Sequence, residues 1–229
     1  MPKHLDEALN LLAEDPQLIP LAGCTDWMVR GALDRADTPA VMDLLRIDEL
    51  RGIHDEPDGG LRIGATTTFA ELRTDPRVRD RYPILAEAAA EIGGRQIQNR
   101  ATLGGNVMNA SPAGDSLPVL LALGATAGVA SVGRLREVPY HDFHPGYRQT
   151  AVKPGELLAW LHLPPPFEGG VQRFRKVGTR RAQAISKVVV ACCAAVEEDR
   201  WGTVRLAAGS VAPTPVRLAG AEAHRRRGH

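Results

Sequence analysis

The sequence predicts an α+β fold in successive parts, on three observations. A strand, turn, helix, strand order occupies the first fifty residues, a second mixed stretch begins near residue 58, and three strand-like runs follow a triple proline.

Leu5, Ala8, Leu9 and Leu12 fall at helical spacing, and Asp15-Pro16 ends that pattern. Ile19-Pro20-Leu21 is a short apolar run entering a glycine turn, residues 25–33 read as a helix, and residues 40–44 as the next strand, an order that builds a small parallel sheet. Asp58-Gly59-Gly60 marks a turn before the strand Leu61-Arg62-Ile63-Gly64, and Thr68-Phe69-Ala70-Glu71 has the capping-box pattern that opens a helix. Pro83 suits the first turn of an Ala-rich helix reaching Ile92, where Gly93-Gly94 stops it. Residues 96–115 show neither period and hold three glycines, one proline and four Asn or Asp, which predicts a long functional loop. Residues 117–123 predict a short buried helix, and the alternation over 157–163 a strand closed by Pro164-Pro165-Pro166. Beyond it, residues 172–176, 187–196 and 203–208 read as strands, the last two joined through a polar turn at 197–202, and a helix starts near Ala219. The expected units are residues 1–57, 58–166 and 167–229.

Composition removes several function classes. The 229 residues are 44% hydrophobic and 24% charged with a net charge of +1, so a core is available and no whole-chain field draws nucleic acid or an anionic membrane. Aromatics at 4% argue against base-stacking platforms. Cys24, Cys192 and Cys193 are too few and too badly spaced for a disulfide framework, a zinc site or an iron–sulfur cluster of the chain's own. Residues 1–14 carry Lys3, Asp6 and Glu7 in place of an apolar signal core, and no apolar run approaches the ~20 residues of a membrane span. A cytoplasmic location is the default expectation.

The familiar nucleotide motifs are absent, leaving two glycine turns, Leu21-Ala22-Gly23-Cys24-Thr25-Asp26 and Ala101-Thr102-Leu103-Gly104-Gly105-Asn106. Glycine lets backbone N–H groups converge without side-chain obstruction, so each turn suits a phosphate and the two together a pyrophosphate; taken separately, each reads more readily as a plain structural turn. Thr25, Thr102 and Asn106 offer further donors. Asp115 precedes a helix, and bare chemistry favours an N-cap over a ligand acceptor there. His141-Asp142-Phe143-His144 lacks the i, i+4 spacing of a helical metal site, so no metal is expected. Cys192-Cys193 reads as a buried pair of small hydrophobes, and Arg225-Arg226-Arg227 as a solvated tail.

The segment Asn99-Arg100-Ala101-Thr102-Leu103-Gly104-Gly105-Asn106, continuing through Asn109-Ala110-Ser111-Pro112-Ala113-Gly114-Asp115-Ser116-Leu117-Pro118, resembles the signature of the FAD-binding medium subunits of molybdenum hydroxylases, the xanthine dehydrogenase and carbon monoxide dehydrogenase group. Pro20-Leu21-Ala22-Gly23-Cys24-Thr25-Asp26 resembles that family's first pyrophosphate loop, and Ile63-Gly64-Ala65-Thr66-Thr67 its following strand. Phe174-Arg175-Lys176-Val177-Gly178 through Arg180-Arg181, and Ala212-Pro213-Thr214-Pro215-Val216-Arg217, are similar to the start of its C-terminal domain.

The resemblance implies a bilobed FAD-binding domain of the vanillyl-alcohol-oxidase (PCMH) type, with FAD between two lobes, followed by a C-terminal α+β domain. It implies that Ala22, Gly23, Cys24, Thr25 and Asp26, with Thr102, Leu103, Gly104, Gly105 and Asn106, hold the pyrophosphate. Asp115 would bond the ribose or adenine end, Ile92 and Lys176 would lie near the isoalloxazine, and Leu158 would pack on the flavin; as plain structure, Ile92 and Leu158 are core residues and Lys176 a solvated charge. The implied function is electron transfer, from a large molybdopterin subunit through a small [2Fe-2S] subunit to FAD and a terminal acceptor, with no catalytic acid–base pair in this chain. The alternatives are a free-standing FAD oxidoreductase, which neighbouring reading frames would discriminate, and a truncated non-catalytic assembly or interaction module. Two departures from the family pattern motivate the last. Cys24 stands where the loop usually has Gly or another small residue, and the family continues beyond Arg217 where this chain ends at His229, so the C-terminal domain is expected to be incomplete, with an apolar sheet face left for a partner.

Overall fold

The computed structural model describes residues 1–29, 40–180, 183–197 and 200–225. The first lobe opens with helix α1 (Leu5–Glu14), whose Ala8, Leu9 and Leu12 are buried and whose end is Asp15. Strand β1 (Ile19–Leu21) runs parallel to β2 (Val41–Asp43), with Ile19 opposite Val41, and α2 (Thr25–Val29) starts the connection between them. The rest of the helix expected over 25–33 lies outside the described residues, as does the arginine tail past residue 225.

A five-stranded antiparallel sheet follows, in the order β3 (Ile53–Asp55), β4 (Leu61–Gly64), β7 (Leu157–Leu163), β5 (Thr126–Ser131), β6 (Arg134–Pro139). Sequence reading anticipates β4 and β7 and passes over the other three. β3 is only three residues long, β5 is built mainly of small residues, and β6 is a largely exposed, charged edge strand, so none carries the apolar alternation that marks a strand. β7 is buried on both faces. Leu157 and Ala159 join the first lobe's core of Ala8, Leu9, Leu12, Met42 and Ile47, while Leu158, Leu161 and Leu163 join the main core.

The helices between β4 and β5 carry clear local signals. The predicted capping box opens α3 (Phe69–Thr74), with Thr68 Oγ1 accepting from the Glu71 N–H and Glu71 accepting from the Thr68 N–H. Asp75 caps α4 (Pro76–Arg81), and α5 (Pro83–Glu91) runs from Pro83 as expected, followed by Gly93 at φ 57°.

Residues 96–115 are not one long loop. They hold α6 (Arg95–Gln98) and α7 (Leu103–Asn109), and α8 (Ser116–Leu123) follows directly. Two consecutive glycines at 104 and 105 give α7 a poor intrinsic propensity, which hides it from a periodicity argument. Tertiary contacts hold it instead: the Leu103 and Gly104 N–H groups donate to the Thr67 and Ala65 carbonyls at 2.9 and 2.8 Å.

All eight residues of α8 are buried. It packs against α5 and against a second antiparallel sheet ordered β11 (Val216–Arg217), β10 (Arg200–Gly209), β9 (Ser186–Glu197), β8 (Val171–Gly178). Ala191, Cys193 and Ala207 on that sheet belong to the same core as Leu120 and Leu161. The expected uncovered apolar face is therefore corrected: α8 and α5 of this chain cover the inner face, because α8, apolar from Leu117 to Leu123, needs burial on every side. α9 (Ala219–Arg225) secures the far edge through Glu222, which accepts from the Leu206 N–H and from Arg217. Among the described residues no helix is long and apolar enough to cross a membrane.

A two-point ion pair ties β6 to the entry of β7. Arg136 donates to both carboxylate oxygens of Glu156, at 2.9 and 2.6 Å, and to the Ala151 carbonyl. The Arg136 guanidinium holds the Glu156 carboxyl below the usual 4.5, and Arg77 likewise lowers Asp75. A carboxyl lowered on folding stabilises above its unfolded value and loses that contribution as pH falls through the folded one. Melting temperature is expected to hold near neutrality and to fall from about pH 4.5 downward. Glu156→Gln should cost about 1.5–3 kcal/mol at pH 7 and flatten the acid limb, measured by thermal melts across pH.

Candidate functional site

The two glycine turns meet. β1 delivers the chain to Ala22-Gly23-Cys24, and a Cβ added at Gly23 would stand 1.9 Å from the Arg100 carbonyl oxygen and 3.0 Å from the Ala101 Cα. Only a residue without a side chain permits this approach between backbones far apart in sequence. The second turn is pinned on its other side, where the Phe69 N–H donates to the Ala101 carbonyl at 3.0 Å and Gly104 sits against Ala65, to whose Cβ an added methyl would come within 2.6 Å.

The donors divide unevenly between the turns. In the second, the N–H groups of Leu103, Gly104, Gly105 and Asn106 are engaged internally, the third of them by Thr102 Oγ1 at 3.1 Å, so its glycines serve close packing and the helix cap. The expectation that these N–H groups converge on a phosphate is corrected accordingly. In the first turn, the N–H groups of Gly23, Cys24 and Thr25 donate to no acceptor among the described residues. These donors, beside a backbone contact that leaves no room for a Cβ at Gly23, fit a diphosphate. Gly105 is exposed at this junction, and Thr102 at its N-cap is buried.

Cys24 takes φ 59°, the left-handed region that strains any residue with a Cβ by about 1–2 kcal/mol. Its Sγ reaches the Ala22 carbonyl at 3.3 Å, and burial pushes the thiol up. Cys24→Gly is expected to raise Tm by roughly 2–4 °C, since the relieved strain is partly offset by the freedom glycine gains when unfolded. It should also tighten cofactor binding, checked by thermal melts and flavin titration.

The site continues from α7 into the segment before α8. Ser116 Oγ donates to Asn106 Oδ1 at 2.7 Å, which places Asp115 beside the second turn's helix. Asp115 does not cap α8; its side chain makes no cap hydrogen bond. The carboxylate turns to the C-terminal sheet, where Oδ2 accepts from Lys176 Nζ at 2.7 Å and Oδ1 from Ser186 Oγ. The side chains of Lys176 and Asp115 are 6% and 8% exposed, so the reading of Lys176 as a solvated charge is also corrected. Lys176 Nζ donates as well to the Glu91 carbonyl at 3.1 Å, next to the half-buried Ile92. Leu158 is 4% exposed and lies in the main core.

A continuous track thus runs from Gly23 through Arg100, α7 and Ser116 to Asp115, Lys176 and Ile92. Sequence reasoning missed Ser186 and the Glu91 carbonyl; neither lies in a glycine turn or a recognisable motif. In the His141 and His144 segment, His144 Nε2 is 3.2 Å from the Tyr140 hydroxyl, and no group of three His, Cys, Asp or Glu among the described residues could hold a metal ion. Burial lifts the Cys193 thiol to about 12, so it is a neutral core group.

Comparison with known proteins matches residues 1–166 to the family described as FAD binding domain in molybdopterin dehydrogenase. Residues 173–224 match the CO dehydrogenase flavoprotein C-terminal domain. The xanthine dehydrogenase FAD-binding subunit of Escherichia coli O157:H7 is 36% identical over 219 residues, covering 95% of this chain and 75% of that protein. The carbon monoxide dehydrogenase medium chain of Hydrogenophaga pseudoflava is 32% identical over 225 residues, covering 96% and 76%. Among solved structures, carbon monoxide dehydrogenase from the same organism superposes with a TM-score of 0.91 at 30% identity, covering 97% of this chain and 77% of that one. Quinoline 2-oxidoreductase from Pseudomonas putida 86 gives a TM-score of 0.89 at 28% identity, covering 97% and 76%.

Proposed function

The chain belongs to the family of FAD-binding medium subunits of molybdenum hydroxylases, and from that premise we propose that it carries electrons from an iron–sulfur partner subunit, through its FAD, to a terminal acceptor. Its cofactor is FAD, and its relatives are subunits of xanthine and carbon monoxide dehydrogenase-type oxidoreductases. The observation that carries the reading is the contact of the Gly23 turn with the Arg100 carbonyl, which unites the two turns in one cradle.

Within that cradle, the N–H groups of Gly23, Cys24 and Thr25 would donate to the diphosphate, and Ala22 and Asp26 would shape its rim. Thr102, Leu103, Gly104, Gly105 and Asn106 would form the opposite wall, with the Thr102 hydroxyl and the Asn106 amide as its side-chain donors. Asp115 and Lys176 are in direct contact, so they would serve the cofactor together, at the end near Ile92. FAD supplies the step between single-electron and paired-electron transfer. The chain's own work is to bind, orient and shield it. The oxidised substrate would be chosen on a large molybdopterin subunit, with a small [2Fe-2S] subunit between.

Two measurements test this. Heat extraction of the purified chain is expected to release FAD and no FMN; a colourless protein with an empty extract would overturn the cofactor assignment. Co-expression with large molybdopterin and small [2Fe-2S] subunits of this family is expected to give a complex in which the flavin is bleached by the molybdenum-site substrate, while the isolated chain is not. Bleaching of the isolated chain by such a substrate would instead make it a free-standing oxidoreductase.

A further inference from the structure

We propose that Ser186 is a positioning residue of the cofactor site: its hydroxyl fixes the Asp115 carboxylate, and through it the Lys176 ammonium, at the Ile92 end. The inference rests on the reading of this site as the FAD site and adds a residue of the C-terminal sheet to it.

The backbone of β9 departs from regularity to deliver this side chain. Along the strand, Val189, Ala191 and Cys193 face the core, and a period of two would next turn Lys187 inward. The register breaks instead. Val177 pairs with Val188 while Gly178 pairs with Ser186, which leaves Lys187 as an extra residue opposite the break. Lys187 is exposed and Ser186 is 6% exposed. A β-bulge of this kind gives up regular pairing and re-aims a side chain. Here it replaces an ammonium by a hydroxyl beside Lys176, so that one carboxylate does not face two cations.

The hydroxyl performs a geometric task. The χ2 torsion of aspartate is broad, so a single contact at Oδ2 leaves the carboxylate plane loosely set. Ser186 Oγ bonds Oδ1 while Lys176 Nζ bonds Oδ2 at 2.7 Å, and two contacts on opposite oxygens define the plane. With Asp115 so held, two of the three ammonium protons of Lys176 are directed to Asp115 Oδ2 and the Glu91 carbonyl, and the third is available in a fixed direction. A group that touches the cofactor is only as well aimed as the residues that support it.

The test titrates the full-length apo-chain with FAD, following flavin fluorescence and the visible circular dichroism of the bound flavin, for wild type and for Ser186→Ala, Ser186→Cys and Ser186→Thr. Ser186→Ala is expected to weaken FAD binding on the order of tenfold and to alter the visible dichroism, because the flavin sits against a rotated carboxylate and ammonium. Ser186→Cys, close in size but a weak donor, should follow Ala and also serves if Ala folds poorly. Ser186→Thr keeps the hydroxyl and should restore both signals. Wild-type affinity and dichroism in Ser186→Ala and Ser186→Cys, or failure of Ser186→Thr to restore them, would overturn the proposal. Weaker binding with unchanged dichroism and a matching fall in apo-protein melting would mark a purely structural serine and overturn it too. If the wild-type chain takes up no FAD, the reading of the site falls and this inference with it; if wild type binds and the variants are indistinguishable from it, only this inference falls.

Discussion

Gly23→Val is expected to abolish FAD retention and to lower the melting temperature. The three atoms nearest the added Cβ all belong to the backbone: the Arg100 carbonyl oxygen at 1.9 Å, its carbon at 2.6 Å and the Ala101 Cα at 3.0 Å. No side chain can rotate away, so either the first turn leaves the second or the segment before α7 moves. Overpacking of this sort costs about 1–3 kcal/mol. In a chain of this size that is about 2–4 °C in Tm per kcal/mol. The effect on the cofactor should exceed the effect on folding, since separating the turns opens the cradle while leaving the main core around Leu120 and Leu161 intact. Gly220→Ala is the matching control: nothing lies within 4 Å of an added Cβ there, and a helical alanine should gain about 0.5–1 kcal/mol with FAD content unchanged. A Gly23→Val protein that keeps stoichiometric FAD would show that the meeting of the two turns is irrelevant to the cofactor.

Asp115→Ala is expected to lose both stability and flavin, although Asp115 caps no helix. Removing the carboxylate leaves the Lys176 ammonium in a site where its side chain is 6% exposed, with the Glu91 carbonyl as its remaining partner, and it strips Ser186 of its acceptor. Breaking a buried pair at one partner costs about 3–5 kcal/mol, because the surviving charge is desolvated without compensation. The double variant Asp115→Leu/Lys176→Met separates the two consequences. A buried pair replaced by apolar groups of similar volume is often neutral or stabilising, so the melting temperature should return close to that of wild type. FAD binding should not return with it. A double variant that recovers flavin along with stability would assign the pair to folding alone.

The parts legible in the sequence are those carried by local chemistry. The capping box at Thr68 and Glu71, Pro83 at the start of α5, the stop at Gly93 and the apolar run of α8 each act within a few residues. The two glycine turns were visible as candidates, and the long motif from Asn99 to Pro118 identified the family. What stayed hidden depended on partners distant in the chain. α7 contains two glycines and is held by the Ala65 and Thr67 carbonyls, so its own residues argue against a helix. Asp115 has the sequence position of a cap, yet its carboxylate is drawn to Lys176 and Ser186, 61 and 71 residues away. Ser186 faces inward only because the register of β9 slips by one residue.

By itself, the sequence determined the order of most elements, the family, the cofactor class and both glycine turns, since these follow from residue types and their spacing along the chain. Only the tertiary structure decided that Gly23 rests on the Arg100 carbonyl, that the donors without an acceptor among the described residues lie in the first turn, and that Asp115, Lys176 and Ser186 form one buried group. The physical reason is that a close backbone approach and a buried ion pair are properties of distance and exclusion of water, and neither exists until the chain has folded.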